Sequence, residues 1–128
     1  YIFIYLLIWM LWASSCSKFT KLQKSDNLDK KYKAAVEYYA NKQYYKAGTL
    51  FEELIPIMKG QAESEKAQFY YAYCQYWQGQ LVLSAYYFRK FTETYPRSDY
   101  HEEAFYMHCQ SLFDDSPYYE LDQSNTYK

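Results

Sequence analysis

Residues 68–80 read QFYYAYCQYWQGQ, and residues 104–116 read AFYMHCQSLFDDS. The two stretches share a Cys-Gln pair, Cys74-Gln75 and Cys109-Gln110, 35 residues apart. An earlier and weaker copy aligns Ala35 with Ala72 and Phe51 with Phe88, an offset of 37. Self-similarity at such a period marks stacked helix-turn-helix units, none of which can bury its apolar face alone. The fold class expected from this is all-α.

The repeated positions have a physical order. Ala35 and Ala72 are the small residues of the first (A) helix of each unit, with Tyr38 the aromatic one. Ala47, Phe51 and Leu54, then Ser84, Phe88 and Phe91, form the small-aromatic-apolar row of the second (B) helix. Small residues let paired helices approach, and the aromatics fill the gap above them. Gly79 sits in the turn, and Pro96 closes the second unit because it lacks an N–H and disfavours helix before it. These positions resemble the tetratricopeptide (TPR) pattern of antiparallel helix pairs stacked as a solenoid. Two departures stand out. Gln75 occupies a usually aromatic place, and Lys59 replaces the first closing Pro, while Pro56 just before it is expected to kink the last turn. The expected helices cover 27–41, 44–58, 62–78, 81–95 and 99–113, with Asp26 or Asn27 and Ser98 as N-caps. The units then run about 27–60, 61–97 and an incomplete 98–128. Residues 114–121 are expected to loop around Pro117, with a further helix opening near Asp122. No capping end is visible, so the array is expected to continue past Lys128.

Upstream, residues 1–12 read YIFIYLLIWMLW, apolar or aromatic throughout and uncharged. A membrane-spanning helix needs about 20 such residues, so the run fits the core of a signal peptide instead. Ala13, Ser14 and Ser15 lead into Cys16, which resembles a bacterial lipobox. The resemblance implies cleavage after Ser15, a covalent lipid on Cys16 and a lipidated tether over 16–26. The start at Tyr1, with neither Met nor a basic stretch, implies a preceding segment. Residue 17 is Ser rather than Asp, which by resemblance to known sorting rules permits transfer to the outer membrane.

Fourteen basic and fifteen acidic residues give a net charge of -1, and the basic ones read as scattered, so no footprint for nucleic acid is expected. Gly and Pro number three each, against disorder and against a loop-rich β fold. Nineteen residues are Tyr. Two readings of that excess stand open, biased base composition and an aromatic binding surface.

No catalytic or metal pattern is present, and the expectation is a non-enzyme without a cofactor beyond the lipid. His101 and His108 are seven residues apart with no CxxC or HExxH nearby, so they read as a surface and a groove histidine. Glu52 and Glu53 adjoin on a helix and point apart, and three glycines make no phosphate loop. Cys74 and Cys109 take equal places on successive A helices, whose axes pack about 8–10 Å apart, beyond the roughly 7 Å reach of a disulfide. Buried free thiols are expected.

In the TPR pattern the A helices line the concave face. Carried over by position, it selects Tyr32, Val36 and Tyr39, then Phe69, Tyr73 and Tyr76, then Ala104 and His108. This row could grip an extended peptide through ring contacts and hydroxyl hydrogen bonds, or serve in part as packing between repeats.

The segments YYKAGTLFEELIPIMKG from Tyr44, YYAYCQYWQGQLVLSAYYFRKFTETYPRSDYHEEAFYMHC from Tyr70 and DSPYYELDQSNTYK from Asp115 resemble the BamD family of outer-membrane assembly lipoproteins, in the form found in Bacteroidetes-type bacteria. The resemblance covers nearly all of the chain after Cys16 and implies an N-terminal portion. It implies a scaffold in the β-barrel assembly (BAM) machinery, anchored to the outer membrane and facing the periplasm. Its implied partners are unfolded outer-membrane proteins, a BamA-type barrel subunit and other members of the complex. A SusD-like glycan-binding lipoprotein is the alternative, although such chains carry large insertions between repeats. A further class, an enzyme domain downstream, has no residue here in its favour.

Overall fold

The computed structural model describes residues 1–12 and 15–116, with side chains over 1–7 and 18–116. Among the described residues there are seven helices and no strand: α1 (Ile2–Trp12), α2 (Ser15–Gln23), α3 (Leu28–Ala40), α4 (Tyr44–Ile57), α5 (Ala62–Trp77), α6 (Leu81–Thr94) and α7 (His101–Asp115). Each helix from α3 to α7 packs on the next, so α3/α4 and α5/α6 are the first two units and α7 is the A helix of the third.

The repeat is written into the turns. Lys42 (φ 59°) and Gly79 (φ 77°) are both left-handed and stand at equivalent places. Gln43 N donates to Tyr38 O and Gln80 N to Gln75 O, each at 2.9 Å. Lys42 N donates to Tyr39 O and Gly79 N to Tyr76 O, each at 3.0 Å. This is the Schellman closure, which satisfies the last carbonyls of an A helix and reverses the chain.

The expected small-aromatic rows form the core. Ala35, Ala47, Leu50, Phe51, Leu54, Met58, Ala67, Tyr71 and Cys74 make one buried cluster between the first unit and α5. Phe69, Ala72, Phe88, Phe91, Ala104 and Met107 make a second between α5, α6 and α7. Close approach is visible at Gly48, where an added Cβ would lie 3.3 Å from Cys74 Cβ. Pro56 sits in the last turn of α4, and the helix runs past it to Ile57.

Three expectations are corrected. Residues 16–26, expected as a tether, are helical through Gln23. No Gly or Pro interrupts them, and Phe19 and Leu22, three apart on one face, pack against the first core. Gln23 Nε2 also donates to Glu53 Oε1 at 2.8 Å. Ser98 is not the N-cap of α7; Tyr100 is, and Ser98 Oγ instead accepts from Tyr100 N and donates to Glu65. Finally, α7 continues to Asp115, two residues beyond the expected end. Asn27 does cap α3, its side chain accepting from Lys30 N at 3.1 Å. The expected cleavage residues 13 and 14, the Cys16 side chain, the turn at Pro117 and the helix near Asp122 lie outside the described residues.

Candidate functional site: a tyrosine strip across the A helices

The A helices α3 and α5 carry a strip of half-buried tyrosines, Tyr32, Tyr39, Tyr70, Tyr73 and Tyr76, and α7 adds carboxylates beside it. Tyr39 of α3 stacks on Tyr70 of α5, with ring centroids 4.2 Å apart and planes 7° from parallel. Tyr32 meets Phe51 edge-on at 6.5 Å. Lys66 places its ammonium 5.3 Å from the Tyr70 ring centroid, a cation–π contact. From α5 to α7 the link is polar: Tyr73 Oη donates to Glu103, and Tyr76 Oη donates to Asp114 Oδ2 at 2.6 Å. Burial, and then the hydrogen bond to Glu103, hold the Tyr73 phenol above its ordinary value. The bond to Asp114 does so first for Tyr76. Burial is the main cause for Tyr39 and Tyr32. These phenols therefore stay protonated and act as donors at neutral pH.

Of the residues selected from the sequence, Tyr32, Tyr39, Tyr73 and Tyr76 lie in this strip, and Val36 is half-buried against the first core. Phe69 does not join them. It is 3% exposed and sits among Phe88, Phe91 and Tyr100. Ala104 is likewise in the core. His108 turns toward the B side, where its Nδ1 lies 2.7 Å from Ala85 O. A carbonyl only accepts, so Nδ1 carries the hydrogen and the ring braces α7 against α6. The hydroxyls of Tyr73 and Tyr76, expected to hydrogen-bond a peptide, are engaged by α7 carboxylates, which leaves ring faces as the available contact.

Sequence reasoning missed Tyr70, Lys66, Glu103 and Asp114. The signal was hidden because 69–73 is FYYAY, aromatic in every helical phase but one. Cys74 and Cys109 are both free; Cys74 is buried as expected, but Cys109 is exposed, on a face of α7 that no described helix covers. Nor are the lysines scattered. Eight of the fourteen basic residues fall between Lys18 and Lys46 with three of the acidic ones, and the other twelve acidic residues follow from Glu52 onward. Among the described residues no three His, Cys, Asp or Glu side chains converge as metal ligands, and no helix is long and apolar enough to cross a membrane.

No curated protein matches the chain. The family described as YfiO, outer membrane lipoprotein, matches residues 24–127, which spans α3 to α7. The chain therefore belongs to the YfiO family of outer membrane lipoproteins.

Proposed function

We propose that this chain is a non-enzymatic scaffold subunit of the β-barrel assembly machinery, lipid-anchored through Cys16 on the periplasmic face of the outer membrane, whose tyrosine strip receives unfolded outer-membrane protein segments. The observation that carries the reading is the family match across the whole repeat region; the sequence resemblance to BamD extends it to a BamA-type barrel subunit as partner. The strip suits the task. Tyr39 of α3 and Tyr70 of α5 stack face to face, so one extended segment can lie across both helices. Barrel strands alternate apolar and polar residues and are flanked by aromatics, so half-buried rings can hold such a strand without sequence specificity.

The first test is a pull-down of the membrane-anchored protein, with mass spectrometry of what accompanies it. A barrel carrying periplasmic repeat domains is the expected companion. A TonB-linked sugar transporter, or no barrel at all, overturns the assignment. For the strip itself, Tyr73→Ala with Tyr76→Ala should weaken binding of barrel-strand peptides by on the order of tenfold, two ring contacts at about 0.5–1.5 kcal/mol each. Unchanged binding rejects the strip as the receiving surface.

A further inference from the structure

The N-terminal edge of the solenoid bears an open depression of about 860 Å³ between α2 and α3. Its rim carries Lys18 and Lys21 from α2 and Lys30 and Lys33 from α3, together with Asp29 and Glu37. All four lysines are exposed. Among the described residues the ion pairs are Lys31–Glu53 and Arg89–Glu93, so none of the four has a carboxylate within 4 Å. Each pair is spaced three apart on its helix, which puts both ammonium groups on one side.

We propose that this lysine-rimmed face seats the solenoid on anionic lipid headgroups. The inference rests on the lipid anchor proposed at Cys16, because that residue is in α2 itself. Along the helix axis Lys18 lies about 3 Å and Lys21 about 7.5 Å from Cys16. Both distances are within the screening length of about 8 Å at physiological ionic strength. A lipid at Cys16 therefore holds these ammonium groups in the headgroup layer, and the chain turn at residues 24–27 brings Lys30 and Lys33 to the same side. Each lysine at an anionic surface favours partitioning by on the order of fivefold. Asp29 and Glu37 oppose this, leaving a net of two positive charges on the rim. The rest of the molecule works in the same direction. Twelve of the fifteen carboxylates lie from Glu52 onward and are repelled by the same surface. Retention comes from the acyl chains; the lysines set orientation, standing the later repeats away from the bilayer.

The test uses the full-length, lipid-bearing protein reconstituted into vesicles of phosphatidylethanolamine, with or without phosphatidylglycerol. A brief pulse of amine-reactive reagent is followed by mass spectrometry of each lysine. Labelling of Lys18, Lys21, Lys30 and Lys33 should fall several-fold in the anionic vesicles only. It should return at about 1 M salt, where the screening length is about 3 Å. Lys59 and Lys90, exposed on later helices and loops, are the references. Lys30→Glu with Lys33→Glu should abolish the difference at Lys18 and Lys21. Equal labelling in both vesicles overturns the proposal. So does protection in detergent that rises with protein concentration, which would assign the face to a second copy of the chain. The mass of the peptide bearing Cys16 reports the lipid separately, so a missing anchor and a missing headgroup contact give different spectra.

Discussion

Ser84 of α6 and Ser111 of α7 share a hydrogen bond of 2.9 Å, with both side chains at 0% exposure. Ser111 Oγ also donates to Met107 O at 2.7 Å, which uses its single hydrogen. The Ser84 hydroxyl must therefore be the donor to Ser111. A directed chain of hydroxyls thus joins the second unit to the third.

Removing both ends of that chain should cost less than the two single removals added together. Ser111→Ala strands the Ser84 donor in the core, at about 1–2 kcal/mol, and Ser84→Ala costs about 1 kcal/mol. The double variant should be destabilised by less than the sum of the two, because no buried polar group is left alone. Urea denaturation of the four proteins measures the coupling; strict additivity would show that the two hydroxyls do not interact.

The two equivalent turns make opposite predictions. Lys42 holds a left-handed φ of 59° that a side chain disfavours, and Gly79 holds 77° without penalty. Lys42→Gly should stabilise the protein by about 1 kcal/mol, and Gly79→Ala should destabilise it by about the same amount. Midpoints of thermal unfolding should move in opposite directions for the pair.

Lys31 is 9% exposed, and Glu53 Oε2 lies 3.3 Å from its ammonium nitrogen. The same carboxylate accepts from Gln23 through its other oxygen, so Glu53 ties α2 and α3 to α4. Glu53→Ala leaves a nearly buried cation without its partner and should cost about 2–3 kcal/mol. Hydrogen exchange should quicken first in α2, ahead of global unfolding. If α2 exchanges as before, the Gln23 contact does not hold it.

Burial pushes the Cys74 thiol up from 9.0 to about 12. Thiol reagents at pH 8 should therefore modify exposed Cys109 and leave Cys74 until the chain unfolds. The unfolded chain releases this proton near pH 9 while the folded chain keeps it. Stability from this group is thus complete below pH 9 and lost progressively as pH rises from 9 toward 12. Tyr39, Tyr71 and Tyr73 are raised by burial too and add to the loss above pH 10. Unfolding midpoints measured across pH 7–11 should be flat at first and then fall; a rise above pH 9 would contradict the burial of these groups.

The sequence alone determined the helical element type of the repeats, the boundaries of α3 to α6 and most of the core. Ala35 and Ala72, Phe51 and Phe88, and Leu54 and Phe91 pair at a fixed offset of 37, and apolar residues at helical spacing have only one side on which to be buried. The family was legible as a resemblance in the segments from Tyr44, Tyr70 and Asp115, which fall almost wholly within the matched residues 24–127. Where composition offered no contrast, tertiary structure decided. In FYYAY every phase but one is aromatic, so only packing against α6 and α7 separates Phe69, which is in the core, from Tyr70 and Tyr73, which are on the strip. The helical form of 15–23 needed the first core as a partner for Phe19 and Leu22, because two apolar residues cannot hold nine residues in a helix by propensity alone. The lysine rim, too, came into being only when α2 folded back beside α3, since charges distant in sequence become one surface only through the path of the chain.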